Sequence, residues 1–312
     1  MAPNLEPTPP TPPAPRRVTP LEVPAIRHQD PLRFPLTVDA LHATVHDALT
    51  EDGAFNDITT IATVRSDRRA RAQLVARQTG VIAGMPFALE TFRQLDPKVS
   101  MRVDAEDGAR VKKGDTLVYI TGHARGMLSA ERVALNFMQR LSGIASLTAR
   151  YVDAVAGTRT VILDTRKTTP GWRRLEKYAV RAGGGRNHRF DLSSSVLIKD
   201  NHLVAVDGNV AVAIQRAREL APPGAEVEVE CDSIEQVGAA VQAGAQIILL
   251  DNMAPDRLRA CVELVAGRAK LEASGGVSLE TVRAMAETGV DFISVGALTH
   301  SAPALNLALD FE

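Results

Sequence analysis

The chain of 312 residues has only two cysteines, few aromatic residues and a net charge of -1. Cys231 and Cys261 are too few for a disulfide framework and are typical of a reducing compartment, so we expect a cytoplasmic protein. No apolar run approaches the roughly 20 residues that a membrane span requires, and the N-terminus lacks the apolar core of a secretory signal. These absences exclude membrane and disulfide-stabilised classes and leave a globular protein of about two domains.

Positive charge is concentrated in one stretch of this nearly neutral chain. Between residues 164 and 189 only two acids, Asp164 and Glu176, accompany a larger set of cations: Arg166, Lys167, Arg173, Arg174, Lys177, Arg181, Arg186 and Arg189. Such a concentration is typical of a site for a multiply anionic small molecule or for nucleic acid. Nucleic-acid surfaces usually interleave cations with aromatic side chains, but aromatics make up only 4% of this chain. We therefore favour a small anionic ligand and expect no nucleic-acid partner.

Prolines dominate residues 1–30, where they remove backbone donors and leave little apolar surface to bury. We predict a disordered or polyproline II tail, with a PxxP docking site as the alternative. The predicted domains begin after this tail, at residue 31.

Residues 31–142 carry the pattern of an N-terminal α+β domain. Helical spacing extends from Thr37 to Leu49, with Thr37 or Asp39 as the cap, and again from Ser129, as N-cap, to Leu141. β-branched or alternating segments predict strands at 70–77, 99–105 and 116–121. A sheet with one helical face, an α+β sandwich, is the simplest assembly of these elements.

From residue 143 to residue 300, strand and helix patterns alternate along the chain. Strands are predicted at 160–164, 196–199, 226–230, 246–251, 269–274 and 291–296. Helices are predicted between them at 172–181, 210–220, 234–243, 255–265 and 279–288. This alternation predicts a six-stranded parallel α/β barrel, closed or nearly closed. The alternating apolar residues of the last segment, 301–312, predict a strand that returns to the N-terminal sheet.

The predicted strands end in polar residues or glycine. The ends carry Arg166 with Lys167, Lys199, Glu230, Asp251, Ser274 with Gly275 and Gly276, and Gly296 with Ala297. Because the carboxyl ends of parallel strands meet at one edge, we expect a single site there. The glycines after the last two strands allow backbone amides to approach a phosphate.

Glu230 and Asp251 end neighbouring predicted strands, which suggests acid/base catalysis, a metal site or hydrogen bonding to a diol. A ribose-like ligand fits the third reading best, with a water-bridged magnesium ion nearby. The alternative is a buried ion pair between these carboxylates and the lysines opposite.

The segment DTRKTTPGWRRLEKYAVRAGGGRNHR, followed by LIKDNH, resembles the signature of quinolinate phosphoribosyltransferase, or carboxylating nicotinate-nucleotide pyrophosphorylase. Further matches are ERVALNFMQRLSGIAS (131–146), LLDNM (249–253), EASGGVS (272–278) and VDFISVGALTHS (290–301). Together the matching motifs cover roughly residues 40 to 310.

The resemblance implies a type II phosphoribosyltransferase-like barrel and an enzyme of NAD biosynthesis. Such an enzyme transfers the phosphoribosyl group of phosphoribosyl pyrophosphate (PRPP) to the ring nitrogen of quinolinate. Decarboxylation then gives nicotinate mononucleotide, pyrophosphate and CO2, with Mg2+ accompanying PRPP. The alternatives are a related phosphoribosyltransferase with another acceptor, and a non-catalytic protein that binds a phosphate ligand or nucleic acid.

The resemblance also implies roles for individual residues. Quinolinate is surrounded by Arg132 of the neighbouring subunit and by Arg166, His188, Arg189 and Lys199, which implies a homodimer at minimum. Lys167 and Lys199 hold the diphosphate, and the catalytic set is Lys167, Lys199, Glu230 and Asp251. The remaining substrate-binding residues implied are Thr165, Ser274, Gly275, Gly276, Gly296 and Ala297.

Overall fold

The computed structural model describes residues 31–222 and 224–312, so the predicted proline-rich tail at 1–30 lies outside the described residues. Within these two ranges an antiparallel sheet, a long helix and a parallel sheet make up the main architecture. No helix among the described residues is both long enough and apolar enough to cross a bilayer.

The N-terminal part alternates short helices with strands. Its elements are α1 (Val38–Glu51), α2 (Ile58–Thr63), β1 (Arg69–Ala76), β2 (Gly80–Val81), α3 (Met85–Leu95), β3 (Ser100–Val103), β4 (Arg110–Val111) and β5 (Thr116–His123). The cap predicted for the first helix is confirmed, because the Thr37 hydroxyl oxygen accepts a hydrogen bond from the Ala40 N–H at 3.3 Å.

A single helix, α4 (Ala124–Ala154), follows β5 and extends for 31 residues. The prediction of a helix from Ser129 to Leu141 was therefore too short at both ends, and Ser129 is not its N-cap. The Ser129 hydroxyl instead donates to Asp57 Oδ2 at 2.9 Å, which ties α4 to the start of α2. The predicted domain division between residues 142 and 143 stays a prediction, and this point of the chain lies inside α4.

Gly143 lies within α4 for a packing reason. A Cβ atom at this position would lie 2.1 Å from the backbone oxygen of Pro303, so only glycine lets the helix approach that segment. On the same helix, Phe137 stacks between Phe87 and Trp172, with ring centroids 4.3 Å and 5.5 Å away. The helix therefore packs against both the N-terminal part and the parallel-sheet part of the chain.

Beyond α4, strands and helices alternate as predicted. The elements are β6 (Val161–Leu163), α5 (Arg173–Ala182), β7 (Val196–Ile198), α6 (Asp200–Val204), α7 (Val210–Leu220), β8 (Val227–Cys231), α8 (Ile234–Gln242), β9 (Ile247–Asp251), α9 (Pro255–Val265), β10 (Lys270–Ser274), α10 (Val282–Ala286), β11 (Phe292–Ser294) and α11 (Ala297–His300). The helix predicted at 279–288 is wrong in extent, since only its middle is α-helical.

The six strands β6 to β11 form one sheet in the order β6-β11-β10-β9-β8-β7, and every pairing is parallel. The predicted six-stranded parallel sheet is therefore confirmed. In this order β6 and β7 are the two edge strands. Because all six strands point the same way, their carboxyl ends share one edge.

The last strand, β12 (Leu307–Phe311), leaves the parallel sheet. It pairs antiparallel with β1, with Leu309 opposite Leu74, and completes a four-stranded sheet in the order β12-β1-β5-β3. Both leucines belong to an apolar core that this sheet shares with α3 and α4. The second core fills the parallel-sheet region, and α4 contributes buried side chains to both.

Gly143→Ala should lower the free energy of unfolding by about 1–3 kcal/mol, because the new methyl group would overlap a backbone oxygen that cannot move alone. Gly238→Ala in α8 is the matched control, since a Cβ there meets nothing within 4 Å and alanine favours helix. Urea unfolding of both variants checks this. Equal stability of the two variants would contradict the packing role of Gly143.

Candidate active site

A cavity of about 480 Å³ opens at the carboxyl ends of the parallel strands. It is lined by Thr165, Arg166, Lys167, His188, Arg189, Leu197, Lys199, Glu230, Leu249, Asp251, Glu272, Ser274 and Ser294. Most of the site residues proposed from the sequence therefore lie around one opening. Arg132, Gly275, Gly276, Gly296 and Ala297 do not line it.

Glu230 and Asp251 lie at the ends of adjacent strands, β8 and β9, and both face the cavity. Lys199, beyond β7, donates from Nζ to Glu230 Oε2 at 3.2 Å, so one carboxylate is paired with a lysine, but this is not the buried pair considered from the sequence. The lysine side chain remains half exposed. An exposed pair of this kind contributes little stability, so an anionic ligand can draw Lys199 away from Glu230 at small cost.

The glycines beside the cavity have left-handed or closely packed backbone. Gly275 and Gly276 have φ values of 88° and 59°, which favour glycine, and they follow Ser274 directly. At Gly296 a Cβ would lie 3.0 Å from Lys167 Cδ, so the absence of a side chain lets the aliphatic part of Lys167 pack against the backbone of residue 296. The two glycine segments therefore border the cavity without lining it.

Two guanidinium groups lie near each other on one side of the cavity. Burial lowers the pKa of Arg189, and the positive charge of Arg166 lowers it further. Arg189 Nη1 also donates to the Ser195 carbonyl at 3.0 Å, which holds the side chain across the start of β7. Two guanidinium groups placed together in this way favour a ligand with two negative charges.

His188 lies at the base of the cavity with both ring nitrogens in contact with the protein. Its Nδ1 accepts a hydrogen bond from the Arg189 N–H at 2.6 Å. Its Nε2 faces Glu228 Oε2 at 3.1 Å and Glu272 Oε1 at 3.6 Å. The Nδ1 contact places the ring proton on Nε2, so His188 donates toward the two carboxylates.

Glu228 and Glu272 were not identified as site residues from the sequence. In the structure they are buried, with 3% and 1% of their surface exposed. Each lies two residues before a strand end already assigned to the site, namely Glu230 and Ser274. Since side chains alternate along a strand, both glutamates face the same interior as those ends. A glutamate two positions before a strand end already assigned to the site is the sequence signal that could have identified them.

The loop that carries His188 and Arg189 is anchored on one buried carboxylate. Asp164, directly after β6, accepts hydrogen bonds from Lys177 Nζ at 2.5 Å, Asn187 Nδ2 at 2.6 Å and the His188 N–H at 2.8 Å. Burial raises the pKa of the Asp164 carboxyl, and the Lys177 ammonium opposes that rise. Through Lys177, helix α5 thereby helps to fix the loop that carries His188 and Arg189.

A second buried carboxylate holds the turn after Lys167. Glu176 accepts hydrogen bonds from the Thr169 N–H at 3.0 Å and the Thr169 hydroxyl at 2.9 Å. Arg140 of α4 reaches the same carboxylate at 2.6 Å and also donates to the Thr299 carbonyl at 2.5 Å. The long helix therefore supports both the turn after Lys167 and the short helix α11.

Arg132 lies elsewhere. It is exposed on α4 and does not line the cavity of its own chain.

Lys177→Met should lower the free energy of unfolding by about 3–5 kcal/mol, because it leaves the buried Asp164 carboxylate without its cation. Arg174→Met removes an equal charge from the exposed face of the same helix and should change stability little. Thermal or urea unfolding of the pair separates the two effects. Similar stabilities would show that the buried pair does not hold the loop.

Comparison with known proteins gives one consistent answer. Sequence models of the quinolinate phosphoribosyl transferase N-terminal and C-terminal domains match residues 57–142 and 144–310. The nicotinate-nucleotide pyrophosphorylase [carboxylating] of Mycobacterium leprae is 46% identical over 280 residues, which cover 87% of this chain and 97% of that protein. Quinolinate phosphoribosyltransferase [decarboxylating] 1b of Nicotiana tabacum is 40% identical over 291 residues, covering 87% of this chain and 82% of the relative.

Solved structures agree with these relatives. The nicotinate-nucleotide pyrophosphorylase of Francisella tularensis superposes with a TM-score of 0.83 at 37% identity, covering 89% of this chain and 98% of that one. A second structure, NadC from Streptococcus pyogenes, superposes with a TM-score of 0.84 at 41% identity. The match covers 90% of this chain and 100% of that chain. The chain therefore belongs to the quinolinate phosphoribosyltransferase family.

Proposed function

We propose that this protein transfers the 5-phosphoribosyl group of PRPP to the ring nitrogen of quinolinate and releases CO2, which yields nicotinate mononucleotide and pyrophosphate for NAD synthesis. The observation that carries the proposal is the single cavity in which cations from β6, β7 and the loop before β7 face two carboxylates at the ends of β8 and β9. The cations suit two anionic substrates, and the carboxylates suit the hydroxyl groups of a ribose and a water-bridged Mg2+ ion.

Quinolinate is assigned to the side of the cavity that holds Arg166, His188 and Arg189. The mutual proximity of the two guanidinium groups, which helps lower the pKa of Arg189, suits an aromatic diacid. A guanidinium can donate two parallel hydrogen bonds to a planar carboxylate. Each charge-assisted bond contributes about 1.5–3 kcal/mol, enough to favour the dicarboxylate over a monocarboxylate.

PRPP is assigned to the ends of the remaining strands. Glu230 and Asp251 accept hydrogen bonds from the ribose diol, while Thr165, Lys167 and Lys199 contact the substrate around the leaving diphosphate. The 5-phosphate is assigned to the backbone of Ser274, Gly275 and Gly276 and of Gly296 and Ala297. A Cβ at Gly276 would meet nothing within 4 Å, which leaves room there for an anion to approach the backbone.

The reaction needs no covalent enzyme intermediate. The bond between the anomeric carbon and the pyrophosphate oxygen breaks, and the quinolinate nitrogen forms the new bond to that carbon. The pyridinium then withdraws electrons, so the adjacent carboxylate leaves as CO2 and its electron pair stays on the ring carbon, which takes up a proton. Lys167, Lys199, Glu230 and Asp251 act by positioning the substrates and stabilising the leaving charge.

Magnesium is the metal proposed for the site. Mg2+ is commonly held by one or two carboxylates together with waters and substrate phosphates, and Glu230 and Asp251 offer that donor set at the cavity. Bound there through water, the ion would neutralise part of the diphosphate charge. In the part of the chain that the structure describes, the only cluster with three potential ligands is His188, Glu228 and Glu272, which lies deeper.

We infer that the parallel sheet curls into an open barrel beside an N-terminal α+β sandwich. The ends of both edge strands line the same cavity, through Lys167 after β6 and Lys199 after β7. Between these edges, Arg186 forms a parallel bridge to Leu163, and Arg189 reaches the Ser195 carbonyl. The segment between α5 and β7 therefore occupies the gap that direct strand pairing would fill in a closed barrel.

The oligomer is proposed to be a homodimer at minimum, in which Arg132 enters the partner's cavity. Arg132 shares the exposed face of α4 with Leu128, one turn earlier, and α2 beside it exposes Ile58 and Ile61. Apolar side chains next to an arginine are typical of a protein interface. This surface supplies apolar area for association close to the arginine.

The enzyme is proposed to work in the cytoplasm. Cys231 and Cys261 are buried free thiols, and burial raises the pKa of Cys231 to about 12. Thiols of this kind serve as core residues in a reducing compartment.

Purified protein with PRPP, Mg2+ and quinolinate should release CO2 and pyrophosphate in equal amounts, because both bond cleavages belong to one turnover. Nicotinate should be a poor acceptor, since it lacks the second carboxylate. The measurement is capture of labelled CO2 alongside a pyrophosphate assay. Arg166→Ala is the control and should lose most activity with an unchanged melting temperature. Efficient turnover of nicotinate would contradict the assignment.

Mixing Arg132→Ala protein with Lys199→Ala protein should restore part of the activity that each variant lacks. In a mixed dimer, one cavity combines an intact Lys199 with the intact Arg132 of the other chain. The measurement is turnover after the two proteins exchange subunits, with Arg174→Ala mixed with Lys199→Ala as the control pair. A mixture no more active than its two components would argue that each site is complete within one chain.

A further inference from the structure

Asn252, the residue after Asp251, has an unusual backbone and two contacts to site residues. Its φ is 52°, in the left-handed region that few residues other than glycine adopt. Its Nδ2 donates to Asp251 Oδ2 at 2.7 Å. Its backbone N–H donates to the Ser274 carbonyl at 2.9 Å. The residue thus contacts the ends of both β9 and β10.

The Asn252 side chain also packs closely against Gly275. A Cβ at residue 275 would lie 2.1 Å from Asn252 Oδ1, and the φ of Gly275 is itself 88°. Glycine is therefore needed at this position both for the backbone and for the space that the amide occupies. Asn252 packs against the first glycine of the segment assigned to the 5-phosphate.

We propose that Asn252 is a positioning residue that fixes the Asp251 carboxylate and the Ser274–Gly276 segment relative to each other for the ribose 5-phosphate part of PRPP. The proposal rests on the function proposed above. With Oδ2 occupied by the Asn252 amide, the carboxylate cannot rotate freely, and Oδ1 is left to accept a hydrogen bond from the diol. Fixing the group before the substrate arrives lowers the entropy lost on binding.

A turn-forming role is the alternative, because asparagine tolerates left-handed backbone better than most residues. The two roles predict different results for Asn252→Gly. Glycine adopts the same backbone at least as easily but has no amide to hold Asp251. Asn252→Asp keeps the shape and places an acceptor against Asp251 Oδ2 where the amide donated.

Steady-state kinetics on the full-length enzyme tests the proposal. Asn252→Gly should raise the KM for PRPP about tenfold, the effect of one lost hydrogen bond to a charged group, with the KM for quinolinate changed less than about twofold. Asn252→Asp should raise the KM for PRPP further. Both variants should keep the wild-type melting temperature. Ala266→Gly, which replaces another left-handed residue away from the cavity, should match wild type throughout.

A wild-type KM for PRPP in both Asn252 variants would overturn this role while leaving the proposed reaction intact. An equal rise in the KM of both substrates, together with a lowered melting temperature, would also overturn it in favour of a purely structural turn. Failure of the wild-type protein to use PRPP at all would overturn the proposed function and this inference together.

Discussion

The parallel direction of all six strands is the constraint on which the rest of the molecule depends. Because each strand ends at the same edge, a polar residue can follow each apolar strand without entering the core. Lys199, Glu230, Asp251 and Ser274 reach one cavity for this reason, although up to 75 residues separate them in a chain of 312. Residues this far apart in the chain cannot meet through local structure alone. The parallel sheet brings their side chains together in one site.

The charges at the cavity are supported by a second set of charges beneath it. Asp164 and Glu176 are fully buried, and each accepts hydrogen bonds from one helix cation and from a loop that carries site residues. Glu228 and Glu272 meet His188 in the interior of the sheet. Buried carboxylates are stable only when paired or hydrogen-bonded. Their partners here are His188, which lines the cavity, and residues that hold the segments carrying the other site cations, so folding and preorganisation of the site use the same contacts.

The convergence of the strand ends on one site could be predicted from the sequence, because a strand ends where its apolar run stops. The features that could not be predicted also have physical reasons. The helix predicted from Ser129 to Leu141 was shorter than α4 because Ser129 was interpreted as its N-cap. The Ser129 hydroxyl instead bonds Asp57, and the helix continues through Gly143, which makes room for Pro303. Glu228 and Glu272 were missed because a charged residue inside a strand has no local signal of its partner. Residue spacing alone did not indicate that Arg132 lies outside the cavity of its own chain; only the family resemblance, which assigns it to a neighbouring subunit, implied this.

The long helix explains how the two sheets can serve one function. Its buried residues enter both apolar cores, so α4 cannot shift against either sheet without exposing apolar surface. Arg140 on this helix is bonded to Glu176 beside the cavity, while Arg132 projects from its exposed face two turns earlier. The distance from Arg132 to the cavity of its own chain is therefore fixed by a rigid element. In the proposed dimer, α4 would present Arg132 to the partner at a fixed position, so the proposed shared site would need no rearrangement of the helix on assembly.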